Sequence, residues 1–114
     1  MRETHLEEAI RITREAMDCV PKLNALVLTD NFFADAVMLA LRERNIEPGR
    51  ECRLIGLGDT ILADRTRPRL THYSLMVSEQ VRFALDALFD EVKSGESYRP
   101  RRQIFIPSLV QRET

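Results

Sequence analysis

Apolar residues near the start of the chain recur at helical spacing. Leu6, Ala9, Ile10, Ala16, Met17 and Val20 share one face, which predicts a helix that Pro21 stops. Thr4 followed three residues later by Glu7 is a reciprocal capping pattern at its start. Ala25-Leu26-Val27-Leu28 is a different signal, short and continuously apolar. It predicts a strand buried on both faces, as in a parallel sheet. Thr29-Asp30-Asn31 ends that strand with oxygens that can cap the next helix. Phe32, Phe33, Ala36, Val37, Ala40 and Leu41 supply its apolar face, and Arg42-Glu43-Arg44 its wet end. Asn45 and Pro48-Gly49 make the turn that follows.

The second half repeats the theme. Leu54-Ile55-Gly56-Leu57 reads as a second buried strand, with Gly58 and Asp59 at its C-terminal end. A loop or one-turn helix covers Ile61 to Arg67, Pro68 interrupts it, and Leu70 to Leu75 suits a third strand. Val81, Ala84, Leu85, Leu88, Phe89 and Val92 then follow the helical series over twelve residues. Ser78 can cap that helix and Gly95 stops it. Gln103 to Ile106 reads as a short strand broken by Pro107, with pairing resumed at Leu109-Val110. Alternating helices and buried strands specify an α/β fold, a mostly parallel sheet flanked by helices. Ligands of such sheets bind beyond the C-terminal strand ends. That rule draws attention to Thr29, Asp30, Asn31, Gly58 and Asp59.

Composition narrows the class. The chain has 114 residues, enough for one small domain or part of a larger one. It is 44% hydrophobic and 31% charged, a globular balance. With 17 Lys and Arg against 18 Asp and Glu, bulk charge gives nucleic acid no pull. The basic stretch Arg99-Pro100-Arg101-Arg102 is read as a solvated loop. Cys19 and Cys52 are far apart and read as ordinary thiols of a reduced, cytoplasmic chain. No apolar run is long enough to span a membrane, and the charged start does not resemble a signal peptide.

The candidate chemistry is sparse. Asp30 and Asn31 can cap a helix or bind sugar-like hydroxyls through paired hydrogen bonds, and both can hold if Thr29 or Asp30 caps while the other faces a ligand. Gly56-Leu57-Gly58-Asp59 lacks the spacing of a phosphate cradle and reads as a tight turn. Asp59 can meet a ligand or satisfy loop amides. No nucleophile motif accompanies Asp30 and Asp59, so acid–base catalysis is not expected and the chain is not read as an enzyme. His5 and His72 are isolated, and His72 is expected at a surface or interface. No cluster has zinc spacing, and no metal or cofactor is expected. Phe32 and Phe33 suit core packing first and stacking on a sugar ring second.

Taken together, these segments resemble the LacI/GalR family of bacterial repressors. The likeness runs through Ala25-Leu26-Val27-Leu28-Thr29-Asp30-Asn31, Ala40-Leu41-Arg42-Glu43 and Leu54-Ile55-Gly56-Leu57-Gly58-Asp59. Pro68-Arg69-Leu70-Thr71 is similar to the family's P-P-L-T-T segment. Pro107-Ser108-Leu109-Val110-Gln111-Arg112-Glu113-Thr114 is similar to its closing P-x-L-V-x-R-x-S/T. The order and spacing hold across about nine-tenths of the chain.

The resemblance implies a periplasmic-binding-protein-like (type I) fold with an effector cleft between two subdomains. Residues 1–114 would be a single partial domain, the C-terminal portion of the effector-binding and dimerisation region, without the DNA-binding helix-turn-helix. Asp30, Asn31, Gly58, Asp59 and Val77 would border the cleft. Asp35, Met38, Leu39, Arg42, Thr66 and Arg67 would face a second subunit. The implied partners are a small, sugar-like effector and a second copy, with operator DNA reached only through the missing N-terminal domain. The family's usual N-D pair is reversed in Asp30-Asn31, its first Asp after the second strand is Gly58, and its common helix glycine is Val81. Asp30 could retune the cleft to another polyol or a cationic ligand. The rival readings are a fragment of a transporter-associated sugar-binding protein and a ligand-free dimerisation module. The helix from Ser78 to Lys93 would belong to the other subdomain of the intact protein, and its Val81–Val92 face should lie exposed here unless it packs within a dimer or rearranges.

Overall fold

The computed structural model describes residues 2–95 and 100–114. Arg99 of the basic stretch lies outside the described residues, as does the side chain of Thr4. The first helix, α1, spans Arg2–Cys19, so it begins ahead of the expected cap at Thr4. Strand β1 (Ala25–Val27) follows, then a 3-10 turn at Asn31–Phe33 and helix α2 (Ala34–Glu43). Strand β2 (Arg53–Gly58), short helix α3 (Thr60–Arg65) and strand β3 (Thr71–Ser74) come next. Helix α4 (Val77–Ser94) and strand β4 (Ser108–Val110) complete the order. The sheet runs β1-β2-β3-β4, parallel throughout except for the antiparallel β3–β4 pair.

The core lies on one side of the sheet. Met38, Leu41, Cys52, Leu54, Ala63 and Leu70 are almost wholly buried there, with Val37 and Leu28 beside them. Burying a Leu or Met side chain stabilises by about 1.5–3 kcal/mol, so this cluster is the main cohesive term. Helix α1 lies against α2 and sends Met17 toward the core. Its rim carries the Arg14–Glu43 pair at 2.7 Å and the Arg44–Asp18 pair at 2.6 Å. Both are solvent-exposed, so they orient the helices more than they stabilise them.

The strands are not buried on both faces. In β2, Leu54 and Gly56 face the helices, whereas Arg53 and Ile55 are exposed. The register sets Val27, Ile55 and Thr71 in one row of the outer face, and Leu57, Tyr73 and Leu109 in the next. Val27 is 73% exposed and Leu109 53%. A continuous apolar run signals strand, but it cannot tell whether a second layer covers it.

Three further expectations are corrected. Gln103–Ile106 is not a strand; pairing falls on Ser108–Val110, where the residues that follow are anchored. Ser78 does not cap α4, because the helix begins one residue earlier, after Met76 in the left-handed region at φ 55°. His72 is fully buried rather than at a surface. Its Nδ1 lies 3.0 Å from the Leu70 carbonyl and its Nε2 3.0 Å from Thr60 Oγ1. The carbonyl can only accept, so Nδ1 donates to it, and Nε2 shares its hydrogen bond with the Thr60 hydroxyl.

The segment after β4 is stitched into the sheet. Thr114 Oγ1 donates to the Leu54 carbonyl at 2.8 Å and accepts from the Thr71 amide at 2.8 Å. The Arg112 amide donates to Thr71 Oγ1 at 3.0 Å. The Arg112 guanidinium pairs with Asp64 at 2.7 Å and Arg69 pairs with Glu113 at 2.9 Å.

Helix α4 stands apart. None of its residues is buried, and Gly95 ends it in the left-handed conformation. Phe83 meets Phe105 edge-on at 6.0 Å and Asp90 pairs with Arg101, so the returning chain runs along one flank. On the opposite flank Val77, Val81, Leu85, Leu88, Phe89 and Val92 are all exposed. The radius of gyration is 18.6 Å, against about 13 Å for a compact domain of this length.

Candidate functional site

The C-terminal ends of β1, β2 and β3 lie side by side. Val27 aligns with Ile55, and Gly58 aligns with Ser74. The chain leaves β1 and β2 there through polar turns, and β3 through Leu75-Met76. Asp30 is extended and exposed, and its Oδ1 accepts from the Phe32 amide at 2.8 Å. Asp59 does the same for α3, accepting from the Ile61 amide at 2.6 Å. Each carboxylate therefore caps a short helical turn and keeps its other oxygen toward solvent. Gly58 takes φ 124° between them.

Asn31 has a different position from its neighbour. It is 2% exposed, and its Nδ2 donates to the Asp59 carbonyl at 3.0 Å. Its Oδ1 is buried and has no hydrogen-bond partner. Gly56 makes room for it: a Cβ there would stand 2.0 Å from Asn31 Oδ1 and 2.6 Å from Leu70 Cδ2. Asn31 thus clamps the turn after β1 to the turn after β2. Of the expected pair, Asp30 faces outward and Asn31 faces inward.

Val77 is 54% exposed at the head of α4, three residues beyond Ser74. The turns carrying Asp30, Asn31, Gly58 and Asp59 and the head of α4 therefore share one end of the sheet. Phe32 is 39% exposed at the same end and meets Phe33 edge-on at 5.3 Å. Beside them a cavity of about 430 Å³ opens between α1 and the free edge of β1, lined in part by Ile12, Thr13, Leu26, Thr29 and Phe33. No group of His, Cys, Asp and Glu able to hold a metal is found among the described residues. No helix among them is long and apolar enough to cross a membrane.

The residues expected to face a second subunit divide. Met38 is 1% exposed within the core and Thr66 is 2% exposed, its hydroxyl between the Ala63 and Pro68 carbonyls, either of which can accept its one proton. Neither offers surface to a partner, because the buried phase of α2 runs through Met38 and leaves Leu39 outside. Asp35, Leu39, Arg42 and Arg67 are exposed. Arg42 donates to the Arg67 carbonyl at 2.5 Å, which joins the end of α2 to the turn after α3.

Sequence reasoning missed the inward His72 and the Asp64–Arg112 and Thr71–Thr114 links. The first had a signal: Leu70 and His72 are two apart in a strand, so they share a face. The charged links shift titration. The Arg112 guanidinium holds the Asp64 carboxyl below its ordinary range, and the Arg69 amide and guanidinium do the same for Glu113. Burial pushes the Cys52 thiol up.

The family model of the periplasmic binding protein-like domain matches residues 1–114. The chain belongs to that family. Solved structures with the same periplasmic-binding-protein-like fold include LacI-family regulators. One from Arthrobacter sp. FB24, in complex with lactose, gives a TM-score of 0.82 at 21% identity, over 95% of this chain and 40% of that one. The CelR–cellobiose complex gives 0.81 at 21% identity, over 95% and 33%. A dimeric Lac repressor gives 0.81 at 20% identity, over 96% and 39%. The chain thus spans about two-fifths of the first of these, and identity at this level establishes the fold alone. A search among curated proteins returned no significant match.

Proposed function

We propose that this chain is the C-terminal portion of the effector-binding and dimerisation region of a LacI/GalR-type transcriptional regulator. The effector is a sugar or a related small polar metabolite. The observation that carries the reading is the shared strand end at which Asp30 and Asp59 each keep one carboxylate oxygen free beside the head of α4. Paired acceptors on fixed turns suit vicinal hydroxyls, and the exposed Phe32 offers an apolar face to a ring. Two solved relatives in fold carry disaccharides, lactose and cellobiose, which supports the choice of ligand class.

In this reading the rest of the cleft and the DNA-binding head belong to the intact regulator, a cytoplasmic homodimer. Effector binding closes the two subdomains on each other and so repositions the heads. Asp35, Leu39, Arg42 and Arg67 form the subunit contact. No chemistry is asked of the site, so the protein is a binding module and not an enzyme. The test is calorimetry of the intact protein against mono- and disaccharides and nucleosides. A sugar should release heat, and Asp30→Ala should weaken it at least tenfold while the protein stays folded. Absence of heat with every sugar tells against the reading.

A further inference from the structure

We propose that His72 is a positioning residue of the effector site. From within the core it holds Thr60, and through Thr60 it aims the Asp59 carboxylate, a role that rests on the effector reading above.

The burial of His72 has no other evident use. The ring is fully buried on β3, and both of its nitrogens are engaged. A buried polar ring recovers its lost hydration only through such bonds, so an apolar side chain of similar size would hold this part of the core as well. What an apolar side chain cannot do is hold a hydroxyl. Nε2 reaches Thr60 Oγ1 at 3.0 Å, and Thr60 is the first residue of α3, directly after Asp59.

The same turn is held from its other side. Asn31 Nδ2 donates to the Asp59 carbonyl at 3.0 Å. In the β2–β3 register Gly56 is the partner of His72, and Gly56 is also the residue whose missing side chain admits Asn31. A line of hydrogen bonds therefore crosses the inner face of the sheet, from the turn after β1, through Asp59 and Thr60, to β3. Asp59 stands in the middle of it. Its Oδ1 is fixed on the Ile61 amide at 2.6 Å, and its carbonyl also accepts from the Ala63 amide at 3.2 Å. With its carbonyl, its Oδ1 and the next side chain all held, the free carboxylate oxygen has little room to swing. His72 ties its direction to β3, the strand that leads through Leu75-Met76 to the head of α4. A ligand hydroxyl then meets an acceptor already in place, which lowers the ordering cost of binding.

Two experiments on the intact protein test this. Without any ligand, hydrogen exchange of the Ile61 and Ala63 amides reports the turn. Thr60→Val keeps the size of a half-buried side chain and removes its hydroxyl, and His72→Leu removes the other partner. Each should speed that exchange about tenfold, the scale of one lost hydrogen bond, while the amides of α2 stay unchanged. His72→Gln can still bond the Thr60 hydroxyl and should restore slow exchange. Calorimetry with lactose and cellobiose reports binding. Thr60→Val should weaken the tighter of the two by about tenfold. Adding His72→Leu to Thr60→Val should weaken it little further, because the pair acts as one unit. Unchanged exchange in Thr60→Val would overturn the proposal, and so would additive losses in the double variant. Faster exchange throughout the protein in Thr60→Val would mean a general loss of stability and overturn it too. If the unsubstituted protein binds neither sugar, the effector reading is what fails, and the exchange experiment decides the role of His72 by itself.

Discussion

Asn31 and Gly56 determine each other. The amide fits only because Gly56 has no side chain, and the two turns stay together only because the amide reaches the Asp59 carbonyl. Gly56→Ala forces a Cβ into Asn31 Oδ1 and Leu70, and overpacking of this kind costs about 1–3 kcal/mol or more. A urea midpoint shift of that size is expected. Gly95→Ala meets no neighbour and should cost only about 1 kcal/mol, from the left-handed backbone alone. Asp30→Ala and Asn31→Ala separate two roles. Loss of the Asp30 cap costs about 0.5–2 kcal/mol and, on the proposed function, sugar binding with it. Asn31→Ala acts first on stability, by about 1–3 kcal/mol, and calorimetry beside denaturation resolves the two. Sequence placed both residues at the strand end but did not separate them. A one-residue step at a turn decides whether a side chain points in or out, and no periodicity marks it.

At the scale of elements, α1, α2 and the parallel strands were legible because their apolar spacing is enforced by the core, and α4 from its apolar stripe alone. Their phase was less so. Met38 and Leu39 are both apolar, and only the angle at which α2 meets the sheet buries one and exposes the other. β4 was misplaced for a related reason: Ile104 and Ile106 look strand-like, but the pairing register is fixed downstream by Arg112 and Thr114. That anchoring predicts acid sensitivity. Asp64 and Glu113 have carboxyl pKa values lowered in the folded chain by Arg112 and Arg69. Their contribution is present above the ordinary values of 3.8 and 4.5, and is lost as pH falls through the lowered ones. Amide resonances of residues 110–114 should therefore shift below about pH 4 while those of β1 (Ala25–Val27), which carries no ionisable side chain, do not. Asp64→Asn should remove part of that transition. An acid titration by nuclear magnetic resonance that moves both regions together would contradict it.

For the whole molecule, stability should depend on concentration. If Asp35, Leu39, Arg42 and Arg67 meet a second copy, as the proposed function has it, association stabilises the fold by mass action. The melting temperature should then rise by several degrees between 1 and 100 μM, on the order of 4–8 °C per kcal/mol for a domain of this size. A scan independent of concentration would contradict that. The α/β class and the family resemblance were readable from the order of segments alone. The bare outer face was not, because a strand's residues do not say how many layers cover it.

The stitching of Thr114 to Leu54 and Thr71 also orders events in time. Residues sixty apart must meet before the centre of the sheet is closed. During synthesis, β1 and β2 can assemble with their helices early, but β3 lacks its antiparallel neighbour and the Thr71 amide lacks its acceptor until residues 108–114 leave the ribosome. Until those residues emerge, the sheet is most open to mispairing. Chains paused before residue 108 should be the ones that engage holding chaperones.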